Sequence, residues 1–417
     1  MQAKFQSIAF DPANPKAALS ELPHEAAVFA LYGEDAHAEP YIGRTPNLRG
    51  RLERLLIPSP KHPKRLQLAG RVRRIEWRAT GSDFEALLLQ FELLQKVYGP
   101  KALERMHLRM PAFVRFLGGN PYPRVTITNR PSLREAHWSY GPFASRAAAE
   151  RFSEEMLKLF LLRRCTDDLN PDPAHPGCVY SEMKMCLAPC YKGCTDDRYA
   201  EESNEVEKFL ATRGESKLVT LKTQRDAASS NLEFESAAAI HTQVQKVESV
   251  RALAPELVRP LDQLSAVILQ ESAQPDEVAV FLFDQGRLRG PAAFSTLGMR
   301  IQNEQSGSSS LFAQPMALAP VPESSSEGAA PQQLASRNML EDRMQAALTQ
   351  LAPAAGQPDA TTRQGHLALL KRWYYRPEVK RPGEICFPDA EGHWPIKSML
   401  RSIGRVAAKS LAAAKSS

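Results

Sequence analysis

Ala27-Val28-Phe29-Ala30-Leu31-Tyr32, followed by Tyr41-Ile42-Gly43-Arg44-Thr45-Pro46-Asn47-Leu48-Arg49-Gly50-Arg51-Leu52-Glu53-Arg54-Leu55-Leu56, decides how the chain begins to fold. The first run, from Ala26, is apolar and strand-like, and Pro40 to Gly43 ends a second strand. Asn47 then opens a helix, because Leu48, Leu52, Leu55 and Leu56 recur at helical spacing behind a capping residue. A further helix is expected from Ser82 or Asp83 to Val97, stopped by Gly99-Pro100. Two strands and two helices within so few residues predict a small α/β unit.

Farther on, Arg124 to Thr128 alternates as a strand should, and Ser145 to Leu161 returns to helical periodicity. From Asp197 to about Leu253 the chain is charged, Ala-rich and free of proline, which predicts two or three helices including an antiparallel hairpin. Residues 264–294 read as a β-meander with Asp284-Gln285-Gly286 as a turn. Residues 302–336, rich in Ser, Pro, Ala and Gln, read as a disordered insertion, and a helical piece and tail follow.

The 417 residues are 43% hydrophobic and 24% charged, the balance of a soluble globular protein of two to four domains. No secretory leader is visible and no apolar run approaches the ~20 residues of a membrane span, so a cytoplasmic location without membrane contact is expected. The net charge is +6, and between Arg44 and Arg78 eleven basic residues face only Glu53 and Glu76. Such a stretch either neutralises a phosphate backbone or forms a solvated face. Five of six cysteines (Cys165, Cys178, Cys186, Cys190, Cys194) crowd one Pro- and Gly-rich loop, a pattern of metal or redox chemistry rather than disulfides. Cys386 stands alone as a packing residue.

Several of these blocks resemble the GIY-YIG nuclease family, and in particular the excision-repair subunit UvrC. They are Ala27-Val28-Phe29, Tyr41-Ile42-Gly43, Asn47-Leu48 and Arg51, then Glu85 to Leu89, Tyr122-Pro123 before Ile127-Thr128, Tyr140 to Phe143, Cys186-Leu187-Ala188-Pro189-Cys190, and Leu232 to Ala238. Their order matches the family over roughly residues 20 to 300, and the likeness is fainter beyond. The chain resembles the N-terminal half of the family, so its RNase H-like domain and helix–hairpin–helix pair are expected to be missing, a layout like the short homologue Cho. The resemblance implies an α+β multidomain protein. Its expected parts are a GIY-YIG-like domain at 20–105, a linker region with the Cys cluster at 106–200 and a helical UVR-like segment at 201–255. A β-rich middle region at 256–300, a largely disordered insertion at 301–360 and a helical tail at 361–417 complete it.

A family GIY-YIG site hydrolyses a phosphodiester with one Mg²⁺ or Mn²⁺, using a tyrosine, an arginine and a helical glutamate. Carried over, Tyr41 and Arg51 are retained and Arg44 keeps the charge of the usual lysine. The first tyrosine becomes Phe29, the metal-holding glutamate becomes Gln90, and the asparagine of the downstream motif becomes Leu103. Tyr32 and Glu92 face away from the lost positions and replace neither. The implied site is therefore degenerate, with Arg44, Arg49, Arg51 and Arg54 left to contact double-stranded, damaged DNA.

Cys165, Cys178, Cys186 and Cys190 match the spacing associated in the family with a [4Fe–4S] cluster, and Zn²⁺ is the alternative that spacing leaves open. Leu221 to Val247 resembles the UVR motif that engages the helicase subunit UvrB, with Leu232 and Phe234 as apolar anchors; His241-Thr242 replaces the usual Arg-Asp. Three functions follow as expectations. They are a repair factor that binds DNA and a UvrB-like partner, a Cho-like endonuclease nicking 3′ of a lesion, and an Fe–S interaction protein of another complex.

Overall fold

The computed structural model describes residues 5–35, 38–57, 68–132, 134–166, 169–299, 337–351, 359–389 and 391–416. Three four-stranded antiparallel sheets organise them.

The first sheet contains β1 (Gln6–Ala9), β2 (Ala27–Tyr32), β3 (Tyr41–Thr45) and β4 (Arg74–Ala79), in the order β1-β4-β2-β3. β2 is central and pairs Phe29 with Gly43 on one side and Trp77 on the other. Helix α1 (Pro15–Ser20) and helix α2 (Leu48–Leu56) cover one face, where Phe29, Leu31 and Trp77 pack with Leu48, Leu52 and Leu56. Asn47 caps α2 as expected, its side chain accepting from Gly50 N–H at 2.9 Å. Helix α3 (Asp83–Tyr98) runs over the other face; Ser82 Oγ caps it and Gly99, at φ +55°, ends it.

Helix α3 is shared property. Ala86 and Leu89 meet Val28 of the first sheet. Phe84, Leu87, Leu88, Phe91 and Leu94 instead enter a core with Phe281, Phe283 and Trp373 from the far end of the chain. A helix apolar on two sides fits a buried spacer between two sheets.

After the short helix α4 (Ala102–Arg105), the second sheet takes β5 (Ala112–Phe116), β6 (Val125–Thr128) and β7 (Ser139–Phe143), in the order β6-β5-β7-β8. Helix α5 (Arg146–Leu157), the single turn α6 (Val179–Glu182) and helices α7 (Asp196–Ala211), α8 (Glu215–Ser230) and α9 (Phe234–Ala252) follow. The edge strand β8 (Arg259–Pro260) comes after them in sequence. One core joins Val114, Phe116, Tyr140 and Phe152 to Tyr199, Phe209, Leu218, Val247 and Val258. Residues 106–200 are thus a folded unit, not a linker, and the helices of 201–255 complete its core rather than standing apart. Helix α5 also stops at Leu157, short of the expected Leu161, because Phe160 and Leu162 turn into that core.

The third sheet, in the order β11-β10-β9-β12, contains β9 (Ala266–Glu271), β10 (Glu277–Asp284), β11 (Arg287–Ser295) and β12 (Glu384–Cys386). Helices α10 (Arg337–Leu351) and α12 (Ile396–Ser416) bury Met344, Leu348, Met399 and Ile403 against one face. Helix α11 (Ala360–Tyr374) joins α3 on the other. The segments expected at 256–300 and 361–417 are one domain, because β12 pairs with β9. The insertion expected at 301–360 also changes: Arg337–Leu351 is helical, while 300–336 and 352–358 lie outside the described residues.

Candidate functional site

Strand alternation sorts the expected nuclease residues onto two faces. Phe29, Leu31, Tyr41 and Gly43 point toward α2; Val28, Ile42 and Arg44 point toward α3. The Phe29 and Tyr41 ring centroids are 6.1 Å apart. Phe29 is 1% exposed, and a Cβ on Gly43 would lie 2.7 Å from its Cζ, so the glycine is what admits the ring. Arg51 follows Leu48 by one turn on α2 and is half-buried. The Tyr41 hydroxyl and the Arg51 guanidinium have no hydrogen-bond or ionic partner among the described residues. Tyr41 and Phe29 thus share the face that α2 covers, and Arg51 lies on that helix.

Gln90 does not. It follows Ala86 by one turn, on the side of α3 that meets Val28, and is half-buried. Arg44 lies on that face too and is tied to Asp83, which also accepts from Arg376 at 2.6 Å. Burial tends to raise the Asp83 carboxyl, but Arg376 and Arg44 beside it hold it below its ordinary range. Arg376 lies 293 residues downstream of Asp83, a partnership with no signal in the sequence. As expected, Tyr32 turns from Phe29: its ring lies under the Arg74 guanidinium, 4.3 Å away.

Among the described residues, most cations of the basic stretch between Arg44 and Arg78 have a partner within the protein, though Arg54 and Arg74 remain exposed. Arg49 donates to the carbonyls of Leu22 and Ser20, both at 2.6 Å, and Arg54 to that of Gly50 at 2.9 Å. Arg74 pairs with Glu76 at 3.2 Å and Arg78 with Glu85 at 3.4 Å. Lys61, Lys64 and Arg65 lie outside the described residues. Strand β4 was hidden here; the alternation of Ile75 and Trp77 with charged residues was its available signal.

The cysteine loop is built differently. Arg163, 4% exposed, donates Nε to Tyr122 O at 3.0 Å, and its own N–H meets the Tyr199 hydroxyl. That hydroxyl in turn donates to Pro123 O at 2.8 Å, so the second sheet and α7 hold the loop's entry. Leu187 N–H bonds Leu161 O at 3.0 Å and fixes its middle. The loop then bends through Ala188 and Lys192, both left-handed without being glycine.

Donors converge on the sulfurs. Ala188 N–H lies 3.3 Å from Cys186 Sγ, and Arg163 Nη1 lies 3.6 Å from Cys165 Sγ. The Ser181 N–H holds the Cys178 thiol below its ordinary range, with burial opposing. Burial pushes Cys186 up to about 11, and the nearby Cys165, Cys178 and Cys190 sulfurs add to the rise. Burial and then Cys178 raise Cys190. The four expected thiols therefore act on one another. Burial raises the Cys194 thiol, with Arg198 opposing and Asp196 adding to the rise. Among the described residues, no three of these sulfurs lie within 4.8 Å of one another; the ligand set that tight is Asp389, Glu391 and His393, all exposed.

The hairpin of α8 and α9 buries Leu218, Leu221, Val244, Val247 and Val250 at its base. Its tip stands in solvent, with Leu232 71% and Phe234 65% exposed. Among the described residues, no helix is long and apolar enough to cross a membrane.

Comparison with known proteins adds the following. Residues 113–209 match the family model for the UvrC/Cho excinuclease middle domain. The UvrABC system protein C of Aliivibrio fischeri is 28% identical over 285 residues, covering 67% of this chain and 45% of that protein. Its counterpart in Alcanivorax borkumensis is 29% identical over 211 residues, 51% of this chain and 34% of that protein. For Leptospira biflexa the figures are 29% over 270 residues, 64% and 43%. The chain spans less than half the length of these relatives. No solved structure matches it.

Proposed function

We propose, from the premise that the chain is a UvrC-like protein, that it serves nucleotide excision repair as a factor that binds damaged duplex DNA and a UvrB-like partner without normal cutting. The observation that carries the loss of cutting is the placement of neutral side chains at both altered positions. Phe29 brings no hydroxyl beside Tyr41, and Gln90 brings no carboxylate and stands on the opposite face of the sheet. A hard divalent cation needs anionic oxygen, which an amide replaces poorly. Arg51, half-buried on α2 and without a partner among the described residues, is left to steady a phosphate.

The exposed Leu232 and Phe234 support partner docking at the hairpin tip. Cys165, Cys178, Cys186 and Cys190 would hold a [4Fe–4S] cluster, whose contribution is to cross-link the loop between the second sheet and α7. Four thiolates around zinc at ~2.3 Å would stand about 3.8 Å from one another. Four cysteine thiolates suit either metal, and the family spacing is what favours the cluster over zinc.

The test is nicking of a lesion-containing duplex in Mg²⁺ and in Mn²⁺ with UvrA and UvrB present. Wild type, Arg51→Ala, Gln90→Glu and Phe29→Tyr/Gln90→Glu are compared. No cutting by a folded wild type that binds DNA and UvrB supports the proposal. Cutting by wild type that disappears in Arg51→Ala overturns it in favour of a Cho-like nuclease.

A further inference from the structure

Helix α12 carries Lys or Arg at 397, 401, 405 and 409 and no acidic residue from end to end. Each step of four residues adds about 6 Å of rise and about 40° of turn, so these cations form a slanting stripe with a rise of roughly 18 Å. The opposite side is committed to the core through Met399, Ile403, Val406 and Ala407. Arg405 is held by Glu384 at 3.1 and 3.2 Å. Lys397, Arg401 and Lys409 are exposed and have no hydrogen-bond or ionic partner among the described residues.

The pattern works against the helix. Like charges four apart repel, and Lys397 sits in the first turn, where the helix dipole is itself positive. A local choice that opposes its own element points to a gain elsewhere. Among the described residues, only Arg405 of the four is neutralised, by Glu384. On α10, Glu341 pairs with Arg337, Arg343 donates to the carbonyls of Ser295 and Leu297, and Asp342 is exposed. In the preceding loop, Asp389 and Glu391 group with His393 rather than with a cation of α12.

We propose that the outer face of α12 docks the phosphate backbone of duplex DNA, with Lys397, Arg401 and Lys409 as its contacts. A slanting row of unpaired cations along one helix complements a polyanion whose charge repeats along its length. A lipid surface fits less well, because the apolar side of the helix is already buried. The choice of DNA among polyanions rests on the repair reading above.

The experiment is fluorescence anisotropy of the full chain with a labelled duplex across a salt series. The slope of log K against log salt in the Lys397→Ala/Arg401→Ala/Lys409→Ala variant should fall by about 3, near 0.9 per lost phosphate contact. The charge-conserving variant Lys397→Arg/Arg401→Lys/Lys409→Arg should keep the wild-type slope. An unchanged slope in the alanine variant, with wild type binding, overturns this surface and leaves the repair reading standing. A wild type that binds no duplex at all overturns both. A wild type that binds phosphatidylserine vesicles through these residues, with DNA binding unaffected by their loss, also overturns the surface.

Discussion

The first sheet and the cysteine loop solve opposite problems. In the sheet, packing stands complete: Phe29 fills the core beside α2, Arg49 bonds a carbonyl and Arg78 a carboxylate of the same fold, and the loss of phosphodiester chemistry there is the proposed reading. In the loop there is little core to lose, and the four thiols with their N–H donors are all in place. A fold held by apolar contact survives the loss of its chemistry. A loop that depends on its ligands would not.

That contrast can be broken most directly at Phe29. Phe29→Ala should cost about 3–5 kcal/mol, read from urea unfolding, because it opens a cavity under a fully buried ring. A cost below about 1 kcal/mol would mean the ring is not structural. Next comes Cys186→Ser, which should abolish bound iron and sulfide and leave residues 165–194 open to protease while the first sheet stays protected. If iron content is unchanged, the quartet is wrongly assigned.

A smaller effect is expected at Asp83, which joins the first sheet to the C-terminal domain through Arg44 and Arg376. Asp83→Asn should cost about 1–2 kcal/mol, discounted because the pair is about a third exposed. Its folded pKa is depressed, so this stability is present above the ordinary aspartate range and is lost as pH falls through the folded value. Denaturant midpoints of wild type and variant should converge in acid; midpoints that stay apart would exclude the linkage. Least of all, Cys194→Ser should leave iron content and stability where they are, and a drop in iron would bring Cys194 into the ligand set.

Much of the fold could be read in advance where one pattern had one meaning. Strands β2 and β3 and helices α2 and α3 show period two or period 3.6 with their caps in place, and they form as read. Strand β12 has three residues and gains its identity only by pairing with β9. Helix α10 follows a low-complexity run, and its packing against the third sheet is a long-range contact. The unit at 106–200 looked like a linker because half of its core arrives later, on α7 to α9. Gln90 was grouped with Tyr41 because order along the chain does not say which face of a sheet a helix covers.

Local periodicities, caps, the four-cysteine spacing and the neutral side chains at Phe29 and Gln90 could be read from the sequence alone, since each is a property of residue type or near-neighbour spacing. Only the tertiary structure decided that Asp83 answers Arg376 and that α3 serves two cores. It also decided that Phe29 faces α2 while the Ala86–Leu89 side of α3, which carries Gln90, meets Val28 on the other face. Those outcomes depend on burial and on groups brought together from distant parts of the chain, and no local pattern encodes them.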